Sequence, residues 1–374
     1  MIRRLYVHNF RCLENFELNL IDRRSVLLIG QNGAGKSTVR RSLEILQAVA
    51  RGNVQVAALI KPADFNKANN SSSMMFQLEV KVGSRAFTYS LALQLLEDSQ
   101  ATIVQQESLT VDGAPVFTRD GEVLELHPTV NKVPGKIEFA PTVFALPSMH
   151  GDSISSPIFR FKDWLSRVIL AAPITRLIEG ATIGANLTPN SDMIDLPGFL
   201  QGVLSSSPAA YRDIEDYLQE VMPDFIAIKS ELTRTRSFYR IAFESKGRSL
   251  ELPLDALSDG EKCYLISSLI IAYQASFSGL TCFWDEPDSH IALPEIQHLI
   301  MRHRKVGNGA QFIATSHNPQ VIQAFPRDDT LLIYRENHVS PPRVKPLSEI
   351  ELNGDLIDAL VLSNEQPYDW QIAG

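Results

Sequence analysis

Apolar and polar positions along the chain change period several times, and each change marks an element. The opening runs LYVHNF, ENFELNL and SVLLIG read as strands, and the last is a continuous apolar run suited to a sheet covered on both faces. From Lys36 to about Ala50 the apolar residues Val39, Leu43, Ile45 and Leu46 fall at helical spacing. Between Ser73 and about Phe144 the chain alternates, as in FQLEVKV and FTYSLAL, with turn signals at Val82-Gly83-Ser84, Asp112-Gly113 and Asp120-Gly121. An antiparallel β-subdomain is expected there. From about Phe159 to Val221, FKDWLSRVIL and AAYRDIEDYLQEVM carry helical spacing, with Ser/Pro/Gly-rich loops between them. Three strand-like runs follow: DFIAIKSEL, SFYRIAFES and SLELPL. After LSDGEK the pattern predicts a helix to about Ser276, a strand over Leu280 to Asp285 and a helix from about Pro294. A strand at GAQFIATS, a short helix and the strand DTLLIYR complete it. The end is therefore parallel α/β, and the middle is an insertion.

Composition narrows the class. A chain of 374 residues with 44% apolar content has ample core, and disorder is excluded. Its net charge of −8 argues against nucleic-acid binding through the whole surface. The local basic clusters Arg3-Arg4, Arg23-Arg24, Arg40-Arg41 and Arg302-His303-Arg304-Lys305 read as solvated edges. Cys12, Cys263 and Cys282 lack the spacing of a disulfide framework or a zinc site, so a reducing, cytoplasmic setting is expected. No signal peptide is visible. The stretch from Cys263 to Trp284 holds no charged residue, but Ser267, Ser268, Gln274, Ser276, Ser278 and Gly279 interrupt it. A buried helix followed by a buried strand fits it better than a membrane span.

Three motifs carry chemistry. GQNGAGKST comprises Gly30, Gln31, Asn32, Gly33, Ala34, Gly35, Lys36, Ser37 and Thr38, and it matches G-x-x-x-x-G-K-[ST] between a strand and a helix. Its glycines let the backbone curl so that N–H groups point inward, and the helix N-terminus adds partial positive charge. Lys36 is expected to reach the β- and γ-phosphates of ATP, and the Ser37 hydroxyl to hold Mg²⁺. LTCFWDEPDSH ends a buried strand at Asp285, a second expected Mg²⁺ ligand at the sheet's C-terminal edge beside the phosphate loop. Glu286, next in the chain, is the candidate that polarises the attacking water. FIATSHNP ends another apolar strand at Thr315-Ser316, and His317 is expected to hydrogen-bond the γ-phosphate and sense its presence.

Together these motifs resemble the ABC-type ATPase superfamily, and LSDGEK supplies the remaining part. In that family LSGGQ-like motifs bind the γ-phosphate of ATP held by the opposite subunit. The resemblance implies that Ser258, Gly260 and Glu261 cap a nucleotide in a twin protomer, so that ATP joins a homodimer. Asp259 and Glu261 depart from LSGGQ toward the LSxGE form of DNA-associated and soluble members. The opening IRRLYVHNFRCLENFELNL is similar to that of SMC, RecF and OLD-type ATPases. Arg11 then matches the family arginine near the nucleotide, Asn32 the asparagine of the loop, and Gln77 is a candidate for the glutamine between the lobes.

The implied fold is a compact P-loop NTPase of the ABC-ATPase head type, with a mixed and parallel sheet core. The whole chain, 1–374, is expected to form a single head. Its N-terminal lobe with the β-subdomain covers 1–150, a helical insertion 151–222 and a C-terminal lobe 223–374. Residues 51–250 hold no heptads, so SMC-type arms are not expected, and neither is an OLD-type nuclease domain after His317. The implied function is slow, Mg²⁺-dependent ATP hydrolysis by a head dimer that regulates a partner or DNA. The partner would be encoded in the same bacterial defence or repair operon, a nuclease or toxin being the expected kinds. A RecF-like DNA clamp with Arg3, Arg4 and Arg40 on its surface is the alternative. A membrane-importer subunit ranks below both, and no membrane association is expected.

Overall fold

The computed structural model describes residues 1–67, 73–96, 98, 100–127, 135–149 and 153–350. The chain divides into two compact units, Met1–Ser166 with the chain from Phe325 onward, and Arg167–Ala324.

The first unit holds an eight-stranded antiparallel sheet, in the spatial order Phe16–Asn19, Ile2–His8, Ser73–Val82, Arg85–Leu95, Thr102–Val111, Ala114–Asp120, Val123–Leu126 and Gly135–Glu138. The alternation seen in the sequence has a direct cause. Phe76, Leu78 and Val80 point to one covered face, where Phe10 meets Phe76 at 5.3 Å between ring centroids. Two charged residues break that alternation. Glu107 and Arg119 are fully buried 3.7 Å apart. Glu107 accepts the backbone N–H groups of Ala145 and Leu146, and Arg119 donates to the carbonyls of Ala140 and Val143. The pair therefore stitches the irregular chain after Gly135–Glu138 onto the sheet, and burial raises the Glu107 pKa.

A second ladder in this unit carries the phosphate loop. Ser25–Ile29 is buried throughout, as its continuous apolar run requires. It pairs in parallel with Thr330–Tyr334, which pairs antiparallel with Arg343–Pro346. The helix Lys36–Ala50 follows the loop and buries Val39, Leu43, Ile45 and Leu46 as the spacing predicts.

The second unit has its own parallel ladder of Ile169–Ala171, Thr281–Asp285 and Gln311–Thr315. Here one expectation fails. FKDWLSRVIL is not all helix: the helix Pro157–Arg167 ends at Arg167, and Ile169–Ala171 is a strand. Val168, Ile169 and Leu170 are buried on all sides, and two β-branched residues in a covered run favour a strand over another helical turn. A helix over Leu196–Ser206 also lies where Pro and Gly suggested a loop. Its Pro197 sits in the first turn, and a Cβ at Gly202 would lie 2.2 Å from the Asn186 carbonyl, so this glycine serves close packing. The three strand-like runs form Phe225–Leu232, Ser237–Ser245 and Arg248–Pro253, an antiparallel sheet to which Ala181–Thr182 adds.

The helix Asp259–Ser276 is buried on nearly every side from Lys262 to Gln274. Its polar residues have partners inside the unit. Ser267 bonds the His303 ring at 2.9 Å, and Gln274 donates to the carbonyls of Leu280 and Gln311. The uncharged stretch is therefore a buried helix and the strand Thr281–Asp285. Among the described residues no helix is long and apolar enough to cross a membrane.

Candidate functional site

The phosphate loop is shaped by positive backbone angles. Gly30, Gly33 and Gly35 have φ of 150°, 78° and 114°, a region that L side chains resist. Gly30 is further constrained, since a Cβ there would lie 2.1 Å from the Ile333 carbonyl oxygen. Lys36 is buried, and its Nζ donates to the carbonyls of Gly30 (2.6 Å) and Gln31 (3.2 Å), so the cation sits inside the curl of the loop. Asn32 and Ser37 are exposed, Ala34 is buried, and Gly35 precedes the first helical turn in a left-handed conformation. The helix N-terminus has no acidic residue in its first turn to oppose an anion.

Arg11 lies in a turn packed on this loop. The neighbouring Cys12 Sγ and Leu13 Cδ2 are each 3.3 Å from where a Gly35 Cβ would stand, and Cys12 Sγ donates to Thr38 Oγ1 at 3.8 Å. Arg11 itself has φ 54°, with Nε on Asp64 at 2.9 Å and its guanidinium 5.4 Å from the centre of the Phe10 ring. Its side chain stays half exposed, restrained rather than freely solvated. Gln77 has a different setting. It sits mid-strand, accepting from Arg4 at 2.6 Å and donating to Ser90 at 3.2 Å, so it occupies no loop.

In the second unit, parallel pairing sets Asp285 opposite Thr315. The Thr315 hydroxyl, buried completely, donates to Asp285 Oδ1 at 2.5 Å and accepts the Glu286 N–H at 3.0 Å. Glu286 has φ 52°, which turns its carboxylate away from the strand line, and its N–H also meets the Thr315 carbonyl at 3.2 Å. His317 Nε2 stands 3.7 Å from Glu286 Oε1, and Ser289 Oγ donates to Glu286 Oε2 at 3.3 Å. The structure thus brings Asp285, Glu286 and His317 together around Thr315. Sequence reasoning noted Thr315 only as a strand end, and its hydroxyl in FIATSH was the available signal. Asp288 was also missed. Burial raises its pKa, and hydrogen bonds from Ser316 and Asn318 oppose that rise.

At the signature segment, Ser258 is the N-cap of Asp259–Ser276 in a reciprocal capping box. Its Oγ accepts the Glu261 N–H at 3.3 Å, while the Ser258 N–H and hydroxyl both donate to Glu261 Oε2 at 2.7 Å. The Ser-x-x-Glu spacing of LSDGEK has this local explanation, which the sequence reading did not draw. Gly260 packs against the chain, with the His290 carbonyl oxygen 3.0 Å from where its Cβ would be. Lys262 is buried and donates to the Thr175 carbonyl at 3.2 Å. Each unit offers one hard oxygen donor of the kind Mg²⁺ takes: the exposed Ser37 hydroxyl in the first and the Asp285 carboxylate in the second.

Comparison with known proteins identifies the fold and the family. An SMC head bound to the C-winged helix domain of ScpA superposes with a TM-score of 0.57 at 14% identity, covering 92% of this chain and 98% of that one. An Smc head domain with an extended coiled coil, bound to the C-terminal domain of ScpA and derived from Pyrococcus furiosus, gives 0.55 at 10% identity, covering 97% and 98%. The chain therefore has the fold of an SMC-type P-loop ATPase head. Its longest described helix has 18 residues. No curated protein matches the chain. A model of an AAA domain matches residues 4–45. A second model, described as "AAA domain, putative AbiEii toxin, Type IV TA system", matches residues 25–323, and the chain belongs to that AAA family.

Proposed function

We propose that the protein is a Mg²⁺-dependent ATPase that pairs two heads around ATP and thereby switches a partner protein. The observation that carries the nucleotide reading is the loop of three positive-φ glycines curled around the buried Lys36 ammonium. A phosphate chain takes the place of the Gly30 and Gln31 carbonyls as the partner of that cation, and the loop N–H groups donate to its oxygens. Ser37 and Asp285 would each offer an oxygen to Mg²⁺, which would supply neutralising charge for the phosphates. Glu286 orients the attacking water and takes its proton, with the carboxylate turned out of the strand by its left-handed φ. His317, beside Glu286, donates to the γ-phosphate. Thr315 fixes the carboxylate of Asp285 and the backbone of Glu286. Arg11, Asn32 and Thr38 complete the nucleotide contacts in this reading.

Dimerisation and a partner are proposals of the same kind. SMC heads of this fold are bound to domains of ScpA, which supports assigning this head a protein partner. The family description, with its toxin system, supports a toxin as that partner. The DNA-clamp alternative has less support. Arg4 is paired with Glu17 and Glu79, and Arg40 with Glu44, so two of the three arginines meant for DNA are already neutralised.

Mixing two inactive variants tests the switch. Lys36→Ala loses hydrolysis through its own loop, and Ser258→Arg loses it by blocking the partner's nucleotide while still binding ATP itself. A heterodimer of the two has one composite site lacking both residues and one site intact, so mixing restores part of the hydrolysis. A Ser258→Arg protein that no longer binds ATP, or a mixture as inactive as its parents, defeats the paired-head reading.

A further inference from the structure

The sequence motifs leave out the segment that follows Thr330–Tyr334, yet this segment leans on the phosphate loop at three points. The Ile333 carbonyl closes on Gly30, and Pro342 Cγ lies 3.8 Å from a Cβ placed on Gly35. Between them, Arg335 Nη2 lies 3.1 Å from a Cβ placed on Gly33. Arg335 is partly buried, and its Nη1 donates to the His338 carbonyl at 3.3 Å. The side chain thus turns back from the end of its strand, is held on one nitrogen by its own hairpin, and presents the other to the middle of the loop.

A guanidinium is a costly side chain to hold against a glycine loop for packing alone, because it is always charged. The His338 bond braces the hairpin but leaves the approach to Gly33 unexplained. Gly33 stands three residues before Lys36, in the part of the loop whose N–H groups face the phosphates. We infer that Arg335 is a further cation, beyond Lys36 and Arg11 and supplied from outside the loop motif, that contacts the phosphates of a bound nucleoside triphosphate. Its planar fork suits two phosphate oxygens at once, where Lys36 offers a point charge. The inference rests on the nucleotide reading above and names a binding residue which that reading lacks.

The test uses the full chain and ATP itself. Arg335→Gln keeps a donor within reach of the His338 carbonyl and removes the charge; Arg335→Lys keeps the charge and loses the fork. ATP affinity should fall about 10- to 100-fold in the Gln variant and less in the Lys variant, the scale of a hydrogen bond to a charged group. The dependence of affinity on salt should also weaken in the Gln variant, because one cation has left the site. A purely bracing role would change the melting temperature and leave the salt dependence alone. As an independent measurement on the unmutated protein, phenylglyoxal labelling of Arg335, read by peptide mass spectrometry, should slow when a non-hydrolysable ATP analogue is bound. If the unmutated protein binds no ATP, the nucleotide reading falls and takes this inference with it. If it binds ATP but the Gln variant matches it in affinity and salt dependence, or the label is not slowed, the inference alone is overturned.

Discussion

Replacing Thr315 by Val exchanges one hydroxyl for a methyl group of nearly the same shape, at a position with no solvent exposure. Two interactions are lost. The hydroxyl no longer donates to Asp285, a bond of 2.5 Å, and no longer accepts the Glu286 N–H at 3.0 Å. A hydrogen bond to a charged group contributes about 1.5–3 kcal/mol when buried, but Asp285 is only partly covered and water replaces some of it, leaving about 1.5 kcal/mol. The Glu286 N–H keeps its second acceptor, the Thr315 carbonyl at 3.2 Å, so that loss is about 0.5 kcal/mol. Thr315→Val should therefore lower stability by about 2 kcal/mol, read as a shift of the urea midpoint with an unchanged slope. The functional cost follows from the geometry. Glu286 holds a left-handed backbone that the Thr315 contacts enforce, and a carboxylate misplaced by about 1 Å loses on the order of 100-fold in rate. ATP affinity should hardly move, because Lys36 and its loop are untouched. Phosphate release under single-turnover conditions measures the rate, and Thr315→Ser, which keeps the hydroxyl, should restore most of it. A Val variant that hydrolyses ATP within twofold of the unmutated protein would refute the role given to this hydroxyl.

Three further outcomes are expected. Glu286→Gln should bind ATP normally, slow hydrolysis by about 100-fold as loss of a general base does, and run as a dimer in sizing chromatography with ATP and Mg²⁺; a monomer under those conditions contradicts the paired heads. Glu261→Gln keeps the capping box, since Gln also serves at that position, but removes a negative charge from the first turn of Asp259–Ser276. Its ATP-bound dimer should be tighter than that of the unmutated protein, and a weaker one would mean that Glu261 acts through its charge. His303, stacked on Phe312 with centroids 4.6 Å apart, is buried and held neutral, its pKa lowered to about 3 from 6.5. Because the unfolded chain takes up the proton first, this residue's contribution is intact above pH 6.5 and drains away as pH falls toward 3, a loss of about 2 kcal/mol by pH 5. Urea titrations at pH 7.5 and pH 5 should show that His303→Phe loses less stability on acidification, and equal losses would disprove it.

The elements most legible in the sequence were those with one strong signal. The run SVLLIG and the glycines after it give a strand and a loop by composition alone, and Lys36–Ala50 emerges with the bounds its apolar spacing predicts. The carboxylates at Asp285 and Glu286 were found because five uncharged residues precede them. What stayed hidden depends on pairing between distant segments. VIL was taken as helix because nothing local announces Cys282–Trp284 as its neighbour. Gly198 and Gly202 looked like loop punctuation because their packing partners, Thr182, Gly184 and Asn186, lie many residues away. Arg335 carries no motif, and only the ladder that sets Thr330–Tyr334 beside Ser25–Ile29 brings it to the loop.

That ladder also sets an order in time. The motif GQNGAGKST is complete early in synthesis, but the carbonyl that closes on Gly30 belongs to Ile333. At translation rates of about 5–20 residues per second, the roughly 300 intervening residues take on the order of 15–60 s to appear. Through that interval the emerging chain carries a full phosphate-loop sequence without Thr330–Tyr334 beside it and without Arg335. A loop of glycines without its neighbour has no reason to keep one curl among the many open to it. The loop thus gains its fixed shape late, after the β-subdomain and the whole second unit have been made. A nascent or prematurely ended chain, however faithful its motif, lacks the neighbour that holds its loop in one curl.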